Sequence, residues 1–298
     1  MGPIGVWGHL DTLSAPAAAD YARRVRERGY GALWVAETVG REPFALLAML
    51  AVAAPGLVLG TSIASIWARD AQATRMAAMT LAELTGGRFV LGLGVSHPHL
   101  AEKLRGHAFD RPLTRMREYL AAYRRAVYRG PEVDGGAEPP ILVAALRERM
   151  TDLAATDADG AFPYLVTPER VAWQRARLDA AAEGRRRRPL LAVTLPVALV
   201  GGIGGGTEAG AVARAYLKPY LRTPTYQASW ALQSFTPSDW EPPGSARLVE
   251  AMVAIGDAAS IHARIRGLHD AGADHIAIIP LAADGTTEEG LTLDALAP

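Results

Sequence analysis

Two histidines, His97 and His99, flank Pro98 at the end of the stretch LGLGVSHPHL (Leu91 to Leu100). Three chemistries fit such a stretch. A His-x-His pair at a strand end can hold a catalytic metal when further histidines or carboxylates converge on it. Of the remaining histidines, His9, His107, His262, His269 and His275, only His9 is well placed at a strand end. His262 and His269 fall in a late helix, and His275 opens a strand at its wrong end. Gly92 and Gly94 could begin a nucleotide-binding turn, but a dinucleotide fingerprint needs a third glycine where His97 stands, and a helix directly after it. The third chemistry is a barrel strand end whose histidine faces a bound cofactor.

Other residues compete for a role. Glu37 ends an apolar run that would partly desolvate it, although a carboxylate there also serves as a helix cap. Trp7, His9 and Trp67 fall at strand ends or in the loops after them, where they would wall a substrate pocket or simply cover the barrel top. GGIGGGT (Gly201 to Thr207) misses the dinucleotide spacing. It precedes a helix after the seventh strand, where barrels often bind phosphate, but Glu208 would repel an anion. Arg185 to Arg188 reads as a solvated loop at the opposite end.

The elements that position these residues alternate regularly. Apolar runs predict strands at Ile4–Gly8, Ala32–Glu37, Leu57–Ile63, Arg88–Val95, Pro140–Leu146, Gly160–Val166, Leu190–Val200 (interrupted by Pro196) and His275–Leu281. Helical periodicity lies between them. The clearest helix start is Thr167–Pro168–Glu169, with a cap, a first-turn proline and an acid at the positive helix end. Runs apolar on both faces suit a parallel sheet covered by helices. Eight such units without a composition break predict one α/β domain over residues 1–298, a (β/α)8 TIM barrel. An irregular insertion is expected at about 223–245, between strands seven and eight. In such a barrel the chemistry sits at the C-terminal strand ends.

Composition narrows the classes. The chain has 298 residues, half of them hydrophobic, and 31 basic side chains balance 31 acidic ones. That argues against nucleic acid or a membrane surface as partner. The absence of cysteine excludes disulfides, thiolate metal sites and cysteine nucleophiles. No run reaches the roughly 18 apolar residues of a spanning helix, and the N-terminus lacks the pattern of a signal peptide. A soluble, cytoplasmic protein is expected.

Four segments in order, LGTSIASIWARD (Leu59 to Asp70), TGGRFVLGLGVSH (Thr85 to His97), ILVAALRERMTDLAA (Ile141 to Ala155) and DGAFPYLVTPE (Asp159 to Glu169), together resemble the luciferase-like monooxygenase superfamily. AYLKPYLRTPTYQASWALQSF (Ala215 to Phe235) is similar to its branch of deazaflavin-dependent oxidoreductases, which use coenzyme F420. The resemblance implies a tricyclic cofactor in the barrel mouth, supported from behind by a nonproline cis peptide at Ser62–Ile63 or at the next bond, to Ala64. Gly94, Val95 and Ser96 would touch the ring and its phosphate-bearing tail, with Gly92 and Gly94 admitting a flat ligand. Ala144, Ala145, Leu146 and Arg147 would give backbone donors to the tail. His97, where relatives place a glutamate or histidine, would handle the coupled proton, with Glu37 as a partner, while His99 lines the loop. Hydride transfer to or from a small, rather hydrophobic organic substrate, in a homodimer, is the implied activity. An FMN-dependent monooxygenase is the alternative, followed by a non-catalytic cofactor-binding relative and a metal-dependent hydrolase.

Three departures from that pattern stand out. Arg147 and Glu148 replace a glycine and a proline, and Arg147 would either pair the phosphate bidentately or obstruct the tail. GGIGGG replaces acidic residues, and Thr38 stands where some relatives carry a histidine.

Overall fold

The computed structural model describes residues 1–133, 138–200, 206–281 and 290–298. The strands of the barrel are β1 (Ile4–Trp7), β2 (Ala32–Val35), β3 (Val58–Thr61), β5 (Phe89–Gly94), β6 (Ile141–Val143), β7 (Gly160–Ala161), β8 (Leu190–Leu199) and β10 (His275–Pro280). They pair in parallel in that order, and β10 pairs both β1 and β8, which closes the cylinder. Two short strands lie off this path: β4 (Ala64–Ser65) beside β5 and β9 (Ala254–Gly256) beside the far end of β8. The expected (β/α)8 barrel is therefore the fold.

Strands five and six are shorter than the apolar runs predicted. After Val143 and Ala161 the chain leaves the sheet and turns across the mouth. Strand seven is uninterrupted: β8 runs through Pro196, which lies opposite Ile279. Its other neighbour, β7, has ended by then, with a last bridge from Tyr164 to Thr194, so the missing proline N–H breaks no ladder there.

Helices α1 (Ala15–Glu27), α2 (Pro43–Ala53), α3 (Ala71–Leu84), α4 (Pro112–Arg125), α5 (Glu148–Asp157) and α6 (Pro168–Ala181) wrap the outside. Their starts follow local chemistry. Ser14, Glu42, Asp70 and Thr167 each accept a hydrogen bond from the backbone N–H three residues on, a cap that contributes about 1 kcal/mol.

The insertion differs from the sequence expectation. It holds α7 (Gly206–Leu217), α8 (Pro224–Ala231), α9 (Pro237–Trp240) and α10 (Ala246–Met252) before β9, followed by α11 (Ala258–Asp270) and β10. Two of the four prolines that suggested irregular chain at 223–245, Pro224 and Pro237, are first-turn prolines set behind Thr223 and Thr236, while Pro242 and Pro243 lie in the turn between α9 and α10. The insertion packs its own apolar layer, including Leu217, Tyr226, Trp230 and Leu248, on Leu165, Ala198 and Ile279 of the barrel top.

The barrel interior is filled by Ala32, Trp34, Val90, Leu142, Phe162, Ala192 and Ala277. Trp34 lies edge-on to Phe162 with ring centroids 4.7 Å apart. It fits because Gly60 has no Cβ, which would collide with the indole. Among the described residues no helix is long and apolar enough to cross a membrane.

Candidate active site at the barrel mouth

The mouth is organised by the end of β3. The Ser62–Ile63 peptide is cis, at the first of the two bonds the resemblance named. Its neighbours hold three backbone groups of the turn. The Ser62 N–H donates to Val35 O at 2.7 Å, Ile63 O accepts from Glu37 N–H at 3.1 Å, and the Trp7 indole N–H donates to Ser62 O at 3.0 Å. Trp7 thus braces this bulge, with His9 stacked beside it at 6.3 Å. Ala64 is buried and pairs with Leu93, so Ser62 and Ile63 are the residues of this turn that reach the mouth.

Gly92 and Gly94 have a different role from the one expected. A Cβ at Gly92 would collide with the Thr61 carbonyl, and one at Gly94 would lie 2.5 Å from Ile63 Cδ1. The space they leave is taken by β3 and its bulge, not by a ligand. The glycines act one layer deeper, by letting the bulge seat against β5. The Thr61 hydroxyl locks the same contact, donating to Gly92 O at 2.7 Å and accepting from Gly92 N–H at 2.9 Å.

Beyond Gly94 the chain kinks at Ser96, which has a left-handed φ of 56°. His97 O then accepts from both Leu100 N–H and Ala101 N–H, opening a π-helical turn at Leu100–Leu104. The His97 ring lies parallel to His99 at 5.9 Å and against Tyr226 at 5.5 Å. Its Nδ1 is buried and has no hydrogen-bond partner among the described residues. Burial, then the neighbouring His99, pull its pKa below the usual imidazole value. The two rings stack instead of converging on one point, and no group of three or more histidines or carboxylates among the described residues could share a metal.

Glu37 is only 6 % exposed in its side chain and is fully engaged. Arg69 meets it with two parallel hydrogen bonds of 2.9 Å, Arg105 adds one at 3.3 Å, and Ser65 N–H donates at 2.8 Å. Arg69 also lies over the Phe44 ring at 4.7 Å. Arg105 belongs to the loop that carries His97, so this pair ties that loop to the end of β2. A second tie is Trp67, whose indole N–H donates to Val95 O at 2.8 Å between the rings of His107 and Phe109. Trp67 therefore secures the loop under Val95. Thr38 is engaged as well, donating to Asp11, which also accepts from Arg41 N–H at 3.1 Å.

The turn from β6 into α5 holds Ala144 to Arg147. Ala144 N–H is spent on Leu93 O at 2.9 Å, so it is not a donor to a ligand. The carbonyls of Ala145 and Leu146 point back into the protein, onto Gln174 and Arg170. Arg147 is exposed and stands at the N-cap of α5; it does not fill the turn. Gly201 to Gly205 lie outside the described residues.

Sequence reasoning missed a cluster on the other wall. Tyr164, Tyr220 and Tyr226 pack edge to face at 5.1 to 5.9 Å, Tyr216 is tilted against Tyr220 at 5.7 Å, and the Tyr164 and Tyr216 hydroxyls bond to each other. Burial pushes the phenols of Tyr164, Tyr216 and Tyr226 up, so they stay neutral. The spacing of Tyr216 and Tyr220, four residues apart, was a visible signal; their meeting with Tyr164, and that of Tyr226 with His97, was not. Arg69, Arg105, Arg170 and Gln174 were missed too. The arginine run is also less idle than expected: Arg185 donates to Ala158 O at the end of α5, and Arg188 pairs with Asp179.

The chain and its barrel are similar to known proteins. The sequence is 29 % identical over 249 residues to a protein of Mycobacterium tuberculosis named as a candidate coenzyme F420-dependent oxidoreductase, covering 73 % of this chain and 70 % of that one. By structure it resembles an F420-dependent secondary alcohol dehydrogenase solved with an F420–acetone adduct (TM-score 0.77, 13 % identity, 99 % and 97 % of the two chains). It also resembles the oxygenating constituent of the Pseudomonas putida 3,6-diketocamphane monooxygenase, solved with FMN (TM-score 0.72, 15 % identity, 93 % and 91 %). At those identities the structures show the fold alone. The family model described as luciferase-like monooxygenase matches residues 2–275, and with that match the chain belongs to the luciferase-like monooxygenase family.

Proposed function

We propose that this protein is a coenzyme F420-dependent oxidoreductase acting on a small, mainly apolar organic substrate at the barrel mouth. The observation that carries the reading is the buried, unpartnered Nδ1 of His97 at the end of β5, beside a bulge, a Glu37 carboxylate and a Trp67 indole that are all hydrogen-bonded. A buried polar atom without a partner costs about 1–3 kcal/mol, and a ligand atom in the mouth would satisfy it. The name of the Mycobacterium tuberculosis relative supports the choice of coenzyme.

The bound deazaflavin would supply the hydride chemistry. Ser62 and Ile63, held by Trp7, Val35 and Glu37, would support its ring, with Val95 and Ser96 beside it. Ala145, Leu146 and Arg147 would face its tail. His97 would move the coupled proton, from a neutral resting state that its burial favours. Glu37, its oxygens taken by two arginines and a backbone N–H, would act by holding the His97 loop. The tyrosines and His9 would line an uncharged pocket suited to an apolar substrate. A homodimer in the cytoplasm completes the reading. The apolar helix α2 supports the dimer, because it leaves Val52 exposed at 76 %.

The test is a fluorescence titration of the purified protein with oxidised coenzyme F420 and, separately, with FMN. Binding of the deazaflavin alone at micromolar concentration is the expected result. Preference for FMN would place the protein with the monooxygenases. Binding without turnover of any alcohol, aldehyde or activated alkene would leave a cofactor-binding relative.

A further inference from the structure

One face of α6 is built toward the β6–α5 turn. Arg170, Trp173, Gln174 and Arg177 follow helical spacing, so they lie along one stripe. Gln174 is fully buried, and its amide N–H donates to Ala145 O at 2.7 Å. Arg170 is 7 % exposed and donates to Leu146 O at 2.6 Å. In a planar trans peptide the carbonyl of one residue and the N–H of the next point in opposite directions. Fixing the carbonyls of Ala145 and Leu146 against α6 therefore turns the N–H groups of Leu146 and Arg147 away from α6. Both then lie at the N-terminus of α5, where the helix dipole favours an anion.

The charges agree with that direction. Arg170 has no carboxylate partner among the described residues; it rests on the Trp173 ring at 3.8 Å, and its Nε is buried and unpartnered. The two acids at this helix start, Glu148 and Asp152, share one partner from the same stripe. Arg177 pairs with Glu148 at 2.7 Å and with Asp152. Arg170 is thus a desolvated cation bonded to the carbonyl of the Leu146–Arg147 peptide, on the side away from the Arg147 N–H, with Glu148 near enough to act on its charge.

We propose that Arg170 and Gln174 are positioning residues for a phosphate-bearing cofactor tail: they orient the Leu146 and Arg147 N–H groups toward the phosphate, and the Arg170 charge adds to their field. This inference rests on the deazaflavin reading above.

The experiment compares binding of intact coenzyme F420 with binding of its deazaflavin chromophore lacking the phosphate tail. It uses the full chain, Gln174→Leu, Arg170→Met and the conservative Arg170→Lys. The expected result is that the wild type prefers the intact coenzyme. Gln174→Leu and Arg170→Met should then lose roughly tenfold or more in affinity for it while binding the tail-less chromophore as the wild type does. Arg170→Lys should recover part of the loss. Retained chromophore binding shows that each variant is folded. Equal losses for both ligands, or no loss for either, overturn the proposal. Should a variant not fold, inorganic phosphate decides in the wild type: it should compete with the intact coenzyme and leave the chromophore unaffected, and competition with neither overturns the proposal. A wild type that binds both ligands equally sinks this inference alone; one that binds neither sinks the deazaflavin reading with it.

Discussion

The two ends of the barrel each bury a histidine, and the two sites are opposites. At the N-terminal end His275 is fully buried and fully satisfied. The Trp34 indole N–H donates to its Nε2 at 2.9 Å, so Nδ1 carries the proton and donates to Gly2 O at 2.6 Å. Gly5 leaves room for the ring, since a Cβ there would lie 2.7 Å from it. At the C-terminal end His97 is partly buried, and its Nδ1 has no partner. Both imidazoles are held below their usual pKa by burial. Desolvation alone therefore does not separate a structural histidine from a functional one. The accounting of hydrogen bonds does so only together with position, because His269 Nε2 in the last turn of α11, away from the mouth, is also buried without a partner among the described residues.

That contrast can be broken most forcefully at His97. His97→Gln is expected to lower turnover by about 10²- to 10⁴-fold, the usual contribution of a positioned acid or base, while leaving the urea midpoint within error of the wild type. A shifted midpoint with unchanged turnover would make His97 the structural residue. In the direction that needs a base, the acidic limb of the rate profile should inflect below the ordinary imidazole value near 6.5.

The opposite end should respond the other way. Trp34→Ala would empty the barrel interior and cost about 3–5 kcal/mol of stability, measured by denaturant unfolding. A loss under 1 kcal/mol would mean the interior collapses around the gap.

His275 sets a pH dependence with a definite sign. Its folded pKa is depressed from 6.5 to about 4, because burial strips the charged ring of water. Between those values the unfolded chain binds the extra proton, so stability rises with pH and is lost as pH falls from 6.5 toward 4. The full difference is on the order of 3 kcal/mol. Unfolding free energy measured across that range should show the slope, and His275→Asn should flatten it.

The smallest expected effect sharpens the contrast within the mouth. Glu37→Gln keeps the shape of the side chain and removes its charge from Arg69 and Arg105. We expect about 1–3 kcal/mol of lost stability and a raised KM, with no limb of the pH–rate profile removed. Disappearance of a limb would make Glu37 the proton carrier.

The fold was readable because it rests on local signals. Eight apolar runs, their intervening helical periods and caps such as Thr167 are properties of short stretches, and the bulge at Ser62–Ile63 was marked by a motif. The insertion was harder, because Pro224 and Pro237 look alike whether they break a helix or begin one. The site was legible only as places on the strand ends. His97 and Glu37 were visible as residue types, but neither spacing nor composition shows that Glu37 is enclosed by arginines from two loops.

By itself, then, the sequence determined the barrel and which titratable residue types stand at its C-terminal strand ends. Tertiary structure alone decided which of them are free. The partners of Glu37, His275 and Leu146 come from segments 24 to 273 residues away in the chain, and hydrogen bonds and desolvation depend on distance in space. For the same reason Gly92 and Gly94 could be recognised as positions of close approach, while what approaches them, Thr61 and Ile63, depended on how β3 and β5 came together.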